Sequence, residues 1–451
     1  MRKFFIVLLL AIMVAINYEL TFASHEIPSF IPLPIYLILA AVSLIIFVGL
    51  WIDYRLRHPI QSIEWLFIVM IMYSMLAGVW SQHDILLSEL NTSLAQTTSI
   101  FTLPTMTILQ GIFYGMSVGM MFYTLYFFTN TLRSAKFIYY LALAIVLGFV
   151  MAEIIYSLVF EWDEYVYVFY HFNDGARMSI TSFTSNTNIY AFHLSLGVYG
   201  VGSLYMTEKK HRWIYPLLAM IFSILIGFTV SKTVILAMVI YVVIYGLLMV
   251  YRLLMSRPIL LNVVMAGLIV LVVMGYQFIS MINHPFIERI QSLVMVTAVE
   301  SFQSRIDIWM DAITLFQRHN TVFGYGFGLS NVYFGVATAI GSTNETGRVL
   351  YEIVNDRFHS GFLEMLLSFG LVGTYLLVIA HWAYIKTLVQ LTKRYAITIP
   401  IWALIISFIA QMMFEDRLLF RPDLSGILIL VLLILPIAKP NEYNRRHEVN
   451  N

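Results

Sequence analysis

The sequence predicts an all-α, polytopic membrane protein of about twelve transmembrane helices, with one long extracytoplasmic loop between the ninth and the tenth. Three observations carry this reading. Of the 451 residues, 60% are hydrophobic and only 11% charged, whereas soluble domains are roughly half apolar and a quarter charged. Apolar runs of about 17 to 25 residues, each long enough to cross a hydrocarbon core of roughly 30 Å as a helix, recur from end to end. Lys and Arg alternate between rich and poor connecting segments.

In chain order the apolar runs fall at 4–22, 31–52, 63–80, 105–128, 137–160, 187–206, 213–230, 233–251, 259–281, 360–385, 397–414 and 423–438. The first, with Arg2 and Lys3 ahead of FFIVLLLAIMVAI, has the charge pattern of a signal peptide but no convincing small-residue cleavage site, so it is read as helix one. Runs seven and eight form one 39-residue apolar stretch, interrupted by Lys232 almost at its midpoint, where a two-helix hairpin must turn. No repeat period and no Gly/Ser- or Pro-rich linker divides the chain. Residues 1–451 are therefore one integral membrane domain, and 282–358 is a long loop within it.

Positive charge accumulates on the cytoplasmic side of a membrane protein. On alternate segments lie Arg2, Lys3, Arg55, Arg57, Arg133, Lys136, Lys209, Lys210, Arg212, Arg252, Arg257, Lys386, Lys393, Arg394, Lys439, Arg445 and Arg446, which are 17 of the 26 basic residues. Both termini are thus expected in the cytoplasm. Five of the other nine, Arg289, Arg305, Arg318, Arg348 and Arg357, fall in the 282–358 loop. A net charge of +1 excludes a general polyanion-binding surface and with it nucleic acid, so an anionic ligand must be met locally. With no cysteine there is neither a disulfide framework nor a thiolate metal site. No metal or cofactor is called for.

The loop carries a helical pattern. In ESFQSRIDIWMDAITLFQRHN, the residues Ile306, Trp309, Met310, Ile313 and Phe316 form one apolar stripe suited to the membrane surface or to other helices. Arg305 then sits at its edge, with Asp307 and Asp311 turned outward. In FGYGFG, residues 323–328, Gly324, Gly326 and Gly328 allow either a tight turn back to the membrane or close backbone approach to a ligand. The pattern does not open a helix after a strand, which excludes a dinucleotide fold.

Other ionisable and polar residues point to the same face. A lysine on a short external hairpin runs against the usual charge bias, which favours a functional Lys232 over a mere turn marker. Asn186 and Asn188 open the sixth helix from that side as helix caps or glycan contacts. Glu153 lies near the outer end of the fifth helix, where snorkelling to the interface competes with a functional role. In NDRFHSGFLEMLLSFG, residues 355–370, the group Asp356, Arg357 and His359 stands directly before a membrane helix. Asp356 is the better N-cap by type, which leaves His359 without a structural necessity.

Arg and Lys at an outer interface suit a phosphate or pyrophosphate, because guanidinium forks engage its oxygens bidentately and ammonium adds a compact charge. A histidine titrates near neutrality and can accept the proton of an attacking hydroxyl. Together they describe glycosyl transfer from a lipid diphosphate, with fixed cations stabilising the leaving group.

The order of TVSK at 229–232, SRIDIW at 304–309, FGYGFG at 323–328 and HSGFLEMLLSFGLVG at 359–373 resembles the O-antigen ligase and Wzy-type polysaccharide polymerase superfamily, over roughly residues 180 to 380. The resemblance implies a GT-C-like, metal-independent, inverting glycosyltransferase of the bacterial plasma membrane, acting on undecaprenyl-diphosphate-linked glycan donor and acceptor at its extracytoplasmic face. It implies His359 as the base and Arg305 and Lys232 as the family's basic residues, with Lys232 standing where the family usually has arginine and Ser360 where it commonly has asparagine; the diphosphate site is expected to consist of Lys232, Arg305 and one of Arg348 or Arg357. Within the superfamily a polymerase of capsule, exopolysaccharide or O-antigen repeats is favoured, working in the membrane beside a chain-length regulator and a flippase. The alternatives are a ligase that moves glycan to another acceptor and, from a different class, a flippase or transporter of the lipid-linked sugar.

The topology is checked by single cysteines introduced at Ser342 and Asn451 of this cysteine-free chain. An impermeant thiol reagent applied to intact cells should label the first and not the second. Labelling at Asn451 alone would invert the topology.

Overall fold

The computed structural model describes residues 2–16, 33–59, most of 116–128, 136–170, 180–182, 187–208, 212–229, 231–254, 360–392, 394–414 and 424–438, positions 267 and 274, and short pieces between 64 and 73 and between 305 and 324. The described residues form helices. These are α1 (Arg2–Ile16), α2 (Leu33–Arg55), a π-helical turn at Thr124–Phe128, α3 (Lys136–Phe160), α4 (Trp162–Tyr170), α5 (Thr187–Thr207), α6 (Ile214–Phe228), α7 (Lys232–Leu254), α8 (Gly361–Thr392), α9 (Thr398–Met412) and α10 (Leu424–Ala438). Among the described residues, four segments are long and apolar enough to cross a membrane: Ile38–Arg55, Lys136–Phe160, Lys232–Arg252 and Gly361–Thr392. Shorter apolar helices include α6 and α9. The expected run at 259–281, much of 63–80 and 105–128, and nearly all of the 282–358 loop lie outside the described residues.

Helix α5 organises the interior. Every residue from Ile189 to Val201 is buried, so α5 turns no face outward over that stretch. Its sequence, TNIYAFHLSLGVYGVGSLYMT, mixes hydroxyls, a histidine and glycines into the apolar residues. This is the composition of a helix packed by other helices, where small residues admit close neighbours and polar ones find partners across the interface. At Gly197 a Cβ would meet the Phe222 ring of α6 at 3.0 Å and Val150 of α3 at 3.2 Å, and at Gly200 it would meet Leu143 of α3 at 3.3 Å.

Helices α5 and α7 run side by side in the same direction. Ser231 Oγ donates to Asn188 Oδ1 at 2.7 Å and Tyr245 OH donates to the Gly202 carbonyl at 3.2 Å, with the same separation of 43 residues in both pairs. Helix α9 packs on both: Ser407 Oγ donates to the Ala237 carbonyl at 2.7 Å and lies 2.8 Å from Tyr199 OH. One buried hydroxyl thus joins three helices.

The opposite sequence end is held by charge. Arg2, at the start of α1, engages both oxygens of Asp53 near the end of α2, Oδ2 at 2.6 Å and Oδ1 at 3.0 Å, and Arg57 shares Oδ1 at 2.8 Å. Glu64 is fully buried and is met by Arg55, by Tyr123 OH at 2.9 Å and by Tyr54 OH at 3.4 Å. A buried carboxylate is tolerated when it is paired and hydrogen-bonded in this way.

Replacing Ser407 with Ala removes the hydroxyl that links α5, α7 and α9. The expected loss is about 0.5–2 kcal/mol, the range for interhelical hydrogen bonds in membranes, read as a lower unfolding temperature in detergent. Tyr199→Phe should cost less than that, and the double variant should fall short of the sum, because both changes break one network.

Candidate functional site

Apart from Glu153, the sequence-derived candidates that the structure describes fall into three local groups. The first is the α6–α7 turn. Helix α6 ends at Phe228, and Thr229 Oγ1 donates back to the Ile226 carbonyl at 2.7 Å while accepting from Ser231 N at 3.4 Å. Ser231 stands immediately before α7, and its carbonyl accepts the Ile235 N–H at 2.9 Å as the first helical bond. Thr229, Ser231 and Thr233 are buried, while Lys232 is partly exposed. The tip of this hairpin is therefore packed into the protein and not projected from it. Asn188, read from sequence as a cap or glycan contact, is the acceptor of the Ser231 hydroxyl.

The second group surrounds Arg305. Residues 305, 306, 308–310, 312, 313, 316 and 317 are helical, as the spacing predicts, but the buried face is turned from the predicted stripe. Ala312 is fully buried and Phe316 nearly so, whereas Met310 is 57% exposed. The inward line runs through 312 and 316, in register with 309 and with Arg305, which like Ile306 and Ile313 is half-buried. The physical reason is the partner: the Arg305 guanidinium stands 5.9 Å from the Phe414 ring centroid, and Trp309 packs on the same ring at 6.3 Å. A cation over an aromatic face gains electrostatically from the ring quadrupole. Asp307 and Asp311 lie outside the described residues.

The third group explains Gly324. Helix α8 is broken at Gly370, whose φ of 59° and ψ of −169° belong to a region essentially reserved for glycine. Gly324, with φ of 74°, packs backbone to backbone against it. A Cβ on Gly324 would lie 2.6 Å from the Ser368 carbonyl oxygen, and one on Gly370 would lie 2.6 Å from the Phe323 carbonyl carbon. The break leaves helical polar groups to be satisfied in an apolar setting. Val372 N donates to the Val322 carbonyl at 3.2 Å, and Tyr73 OH stands 2.8 Å from the carbonyl oxygens of both Phe323 and Phe369. Of the two sequence readings of FGYGFG, Gly324 takes the structural one, contacting protein backbone. Gly326 and Gly328 lie outside the described residues, as do Asn186, Arg348, Asp356, Arg357 and His359. Ser360, next to His359, is buried, and its carbonyl accepts from Glu364 N at 3.0 Å at the start of α8.

A fourth cluster was not anticipated. Glu153 of α3 does not snorkel; it is fully buried, with Oε1 2.8 Å from Nδ1 of the buried His193 of α5. Phe149 packs edge-on to the His193 ring at 5.0 Å. One helical turn along α3, Ser157 Oγ lies 2.9 Å from Tyr165 OH and 3.0 Å from Tyr190 OH. Past the end of α3, the Glu161 carboxylate accepts from Thr181 N at 3.3 Å, Thr181 Oγ1 at 3.1 Å and Ser182 N at 3.0 Å, and Ser182 Oγ donates to the Glu153 carbonyl at 2.9 Å. These polar contacts clamp the strap at 180–182 onto α3. The sequence signal was a histidine in the sixth apolar run, which spacing alone does not pair with Glu153.

Comparison with known proteins places one segment. Residues 217–378 match the family model described as O-antigen ligase, Wzy_C. No curated protein matches the chain.

Gly324→Ala and Gly370→Ala should each destabilise the protein by at least the ~1–3 kcal/mol of a forced backbone conformation, since the added Cβ also meets backbone. Tyr73→Phe should be milder. Detergent-solubilised yield and unfolding temperature report all three, and an Ala variant at either glycine with wild-type stability would contradict the packed junction.

Proposed function

The chain belongs, through residues 217–378, to the O-antigen ligase/Wzy-type superfamily, and from that premise we propose that it is a membrane glycosyltransferase that polymerises undecaprenyl-diphosphate-linked oligosaccharide repeat units on the extracytoplasmic face. The observation that carries the reading is where the match falls. It begins inside α6 and ends inside α8, and so takes in the Thr229–Lys232 turn, Arg305, the Gly324–Gly370 junction and His359.

In this reading the acceptor sugar hydroxyl attacks the anomeric carbon of the donor. A new C–O bond forms as the bond to the diphosphate breaks with inversion, the electron pair leaves with undecaprenyl diphosphate, and the hydroxyl proton passes to His359. Lys232, Arg305 and one of Arg348 or Arg357 receive the charge that develops on the leaving diphosphate, so the step needs no metal. If the chain crosses the membrane alternately, the starts of α7 and α8 and the end of α9 open to one side. That side then holds Lys232, the approach to His359, and the Arg305–Phe414 contact together.

A second reading is ligation, in which finished glycan moves to a different acceptor. It is favoured by the matched family's own description, O-antigen ligase. Glycan length in a deletion strain separates the two: loss of long chains with single-repeat material retained marks a polymerase, and accumulated unattached polymer marks a ligase. Linkage formed by the purified protein in detergent, with no transmembrane gradient, separates either from transport.

His359→Ala should lower the rate by about 10²–10⁴-fold, the usual worth of general base help, with insertion and yield unchanged. Glutamine keeps a hydrogen bond but takes no proton, so near-normal polymer from His359→Gln would remove the base role. Lys232→Ala and Arg305→Ala should each remove on the order of 2–4 kcal/mol of transition-state stabilisation, while Lys232→Arg is tolerated. Normal glycan length from both alanine variants at normal protein level would dismiss the diphosphate site.

A further inference from the structure

We propose that Asn188 is a positioning residue for Lys232, acting through the Ser231 hydroxyl; the inference rests on the diphosphate reading of Lys232 given above. Serine directly before a helix ordinarily turns its oxygen to accept one of the first helical N–H groups. Here the Ser231 hydroxyl hydrogen is directed across the helix interface to Asn188 Oδ1, at 2.7 Å. Asn188 is the second residue of α5, which is buried throughout from Ile189 to Val201 and is locked to its neighbours by Glu153–His193 on one side and Tyr245–Gly202 on another. A helix enclosed on all sides over that stretch therefore fixes the residue adjacent to Lys232.

The neighbouring residues leave the lysine backbone little freedom. Ser231 is 3% exposed, Thr233 6% and Val234 fully buried, so Lys232 is the one partly exposed residue among these four. A lysine at the first position of a helix also faces the positive end of the helix dipole, which is unfavourable by a few tenths to 1 kcal/mol. A long flexible side chain gains precision only if its base is fixed, and the Ser231–Asn188 bond supplies that. Asn188 lies outside the 217–378 match, so its role belongs to the contact between that segment and the helix preceding it.

The test measures binding of undecaprenyl diphosphate to the purified full-length protein, together with unfolding temperature without ligand. Asn188→Ala and Ser231→Ala should each weaken binding about tenfold, the upper end of what one hydrogen bond contributes. The double variant should be no weaker than either single, and Ser231→Thr, which keeps the hydroxyl, should restore binding. In a Lys232→Ala background, Asn188→Ala should have no further effect. If Lys232→Ala binds normally, the diphosphate reading falls and this inference with it. If Lys232→Ala binds weakly and Asn188→Ala weakens it again by the same factor, the diphosphate reading stands and the positioning role is wrong. A lower unfolding temperature with unchanged binding in both Asn188→Ala and Ser231→Ala would likewise reduce the contact to a structural one.

Discussion

The structure depends on one requirement: α5 is enclosed by other helices, so each of its polar groups must find a partner inside the protein. Lipid chains offer neither hydrogen bonds nor a hydrophobic gain on helix association, and small residues with specific polar contacts take over that role. Along α5 these contacts are spaced in sequence. Asn188 engages the α7 turn, His193 engages α3, Tyr199 meets the hydroxyl that bridges to α9, and Gly202 receives Tyr245. Each neighbour is thereby held at a defined height, which hydrophobic packing alone would leave free to slide.

The same requirement shapes α8 in the opposite manner. Instead of enclosing polar side chains, α8 interrupts its own hydrogen-bond ladder at Gly370, and the freed groups are taken up by Val322 and Tyr73. Irregular backbone at such depth is tolerated only where protein satisfies it. The break separates the first nine residues of α8, which begin two positions after His359, from the remainder of the helix. The catalytic candidate thus precedes a short helical segment whose far end is held by the glycine junction.

Much of the fold is legible in the sequence, because membrane helices are specified locally. The predicted runs at 137–160, 187–206, 213–230 and 397–414 coincide within a few residues with α3, α5, α6 and α9. Lys232 is conspicuous because it interrupts an otherwise apolar stretch, and Gly324 because glycine recurs around it. What spacing does not contain is the identity of long-range partners. Gly324 could have turned toward a ligand or toward protein, and the answer lies in Gly370, 46 positions away. Arg305 looked peripheral because Met310 is more hydrophobic than Ala312, yet a small residue fits the packed side and the flexible thioether is left outside. Glu153 likewise reads as an interfacial carboxylate until His193 is placed against it.

The backbone contact between 322–324 and 369–372 also has a bearing on how the protein can vary. It pins two distant points of the chain together and so closes everything between them into a ring. Ring closure depends on enclosed length only logarithmically, with each doubling adding about 0.6 kcal/mol. Closure therefore sets little constraint on how many residues the ring holds, provided both glycines remain. Length can then change between the two anchored ends at little cost to the fold, while the buried start of α8, where Leu367 and Ser368 are fully enclosed, stays tied to its neighbours.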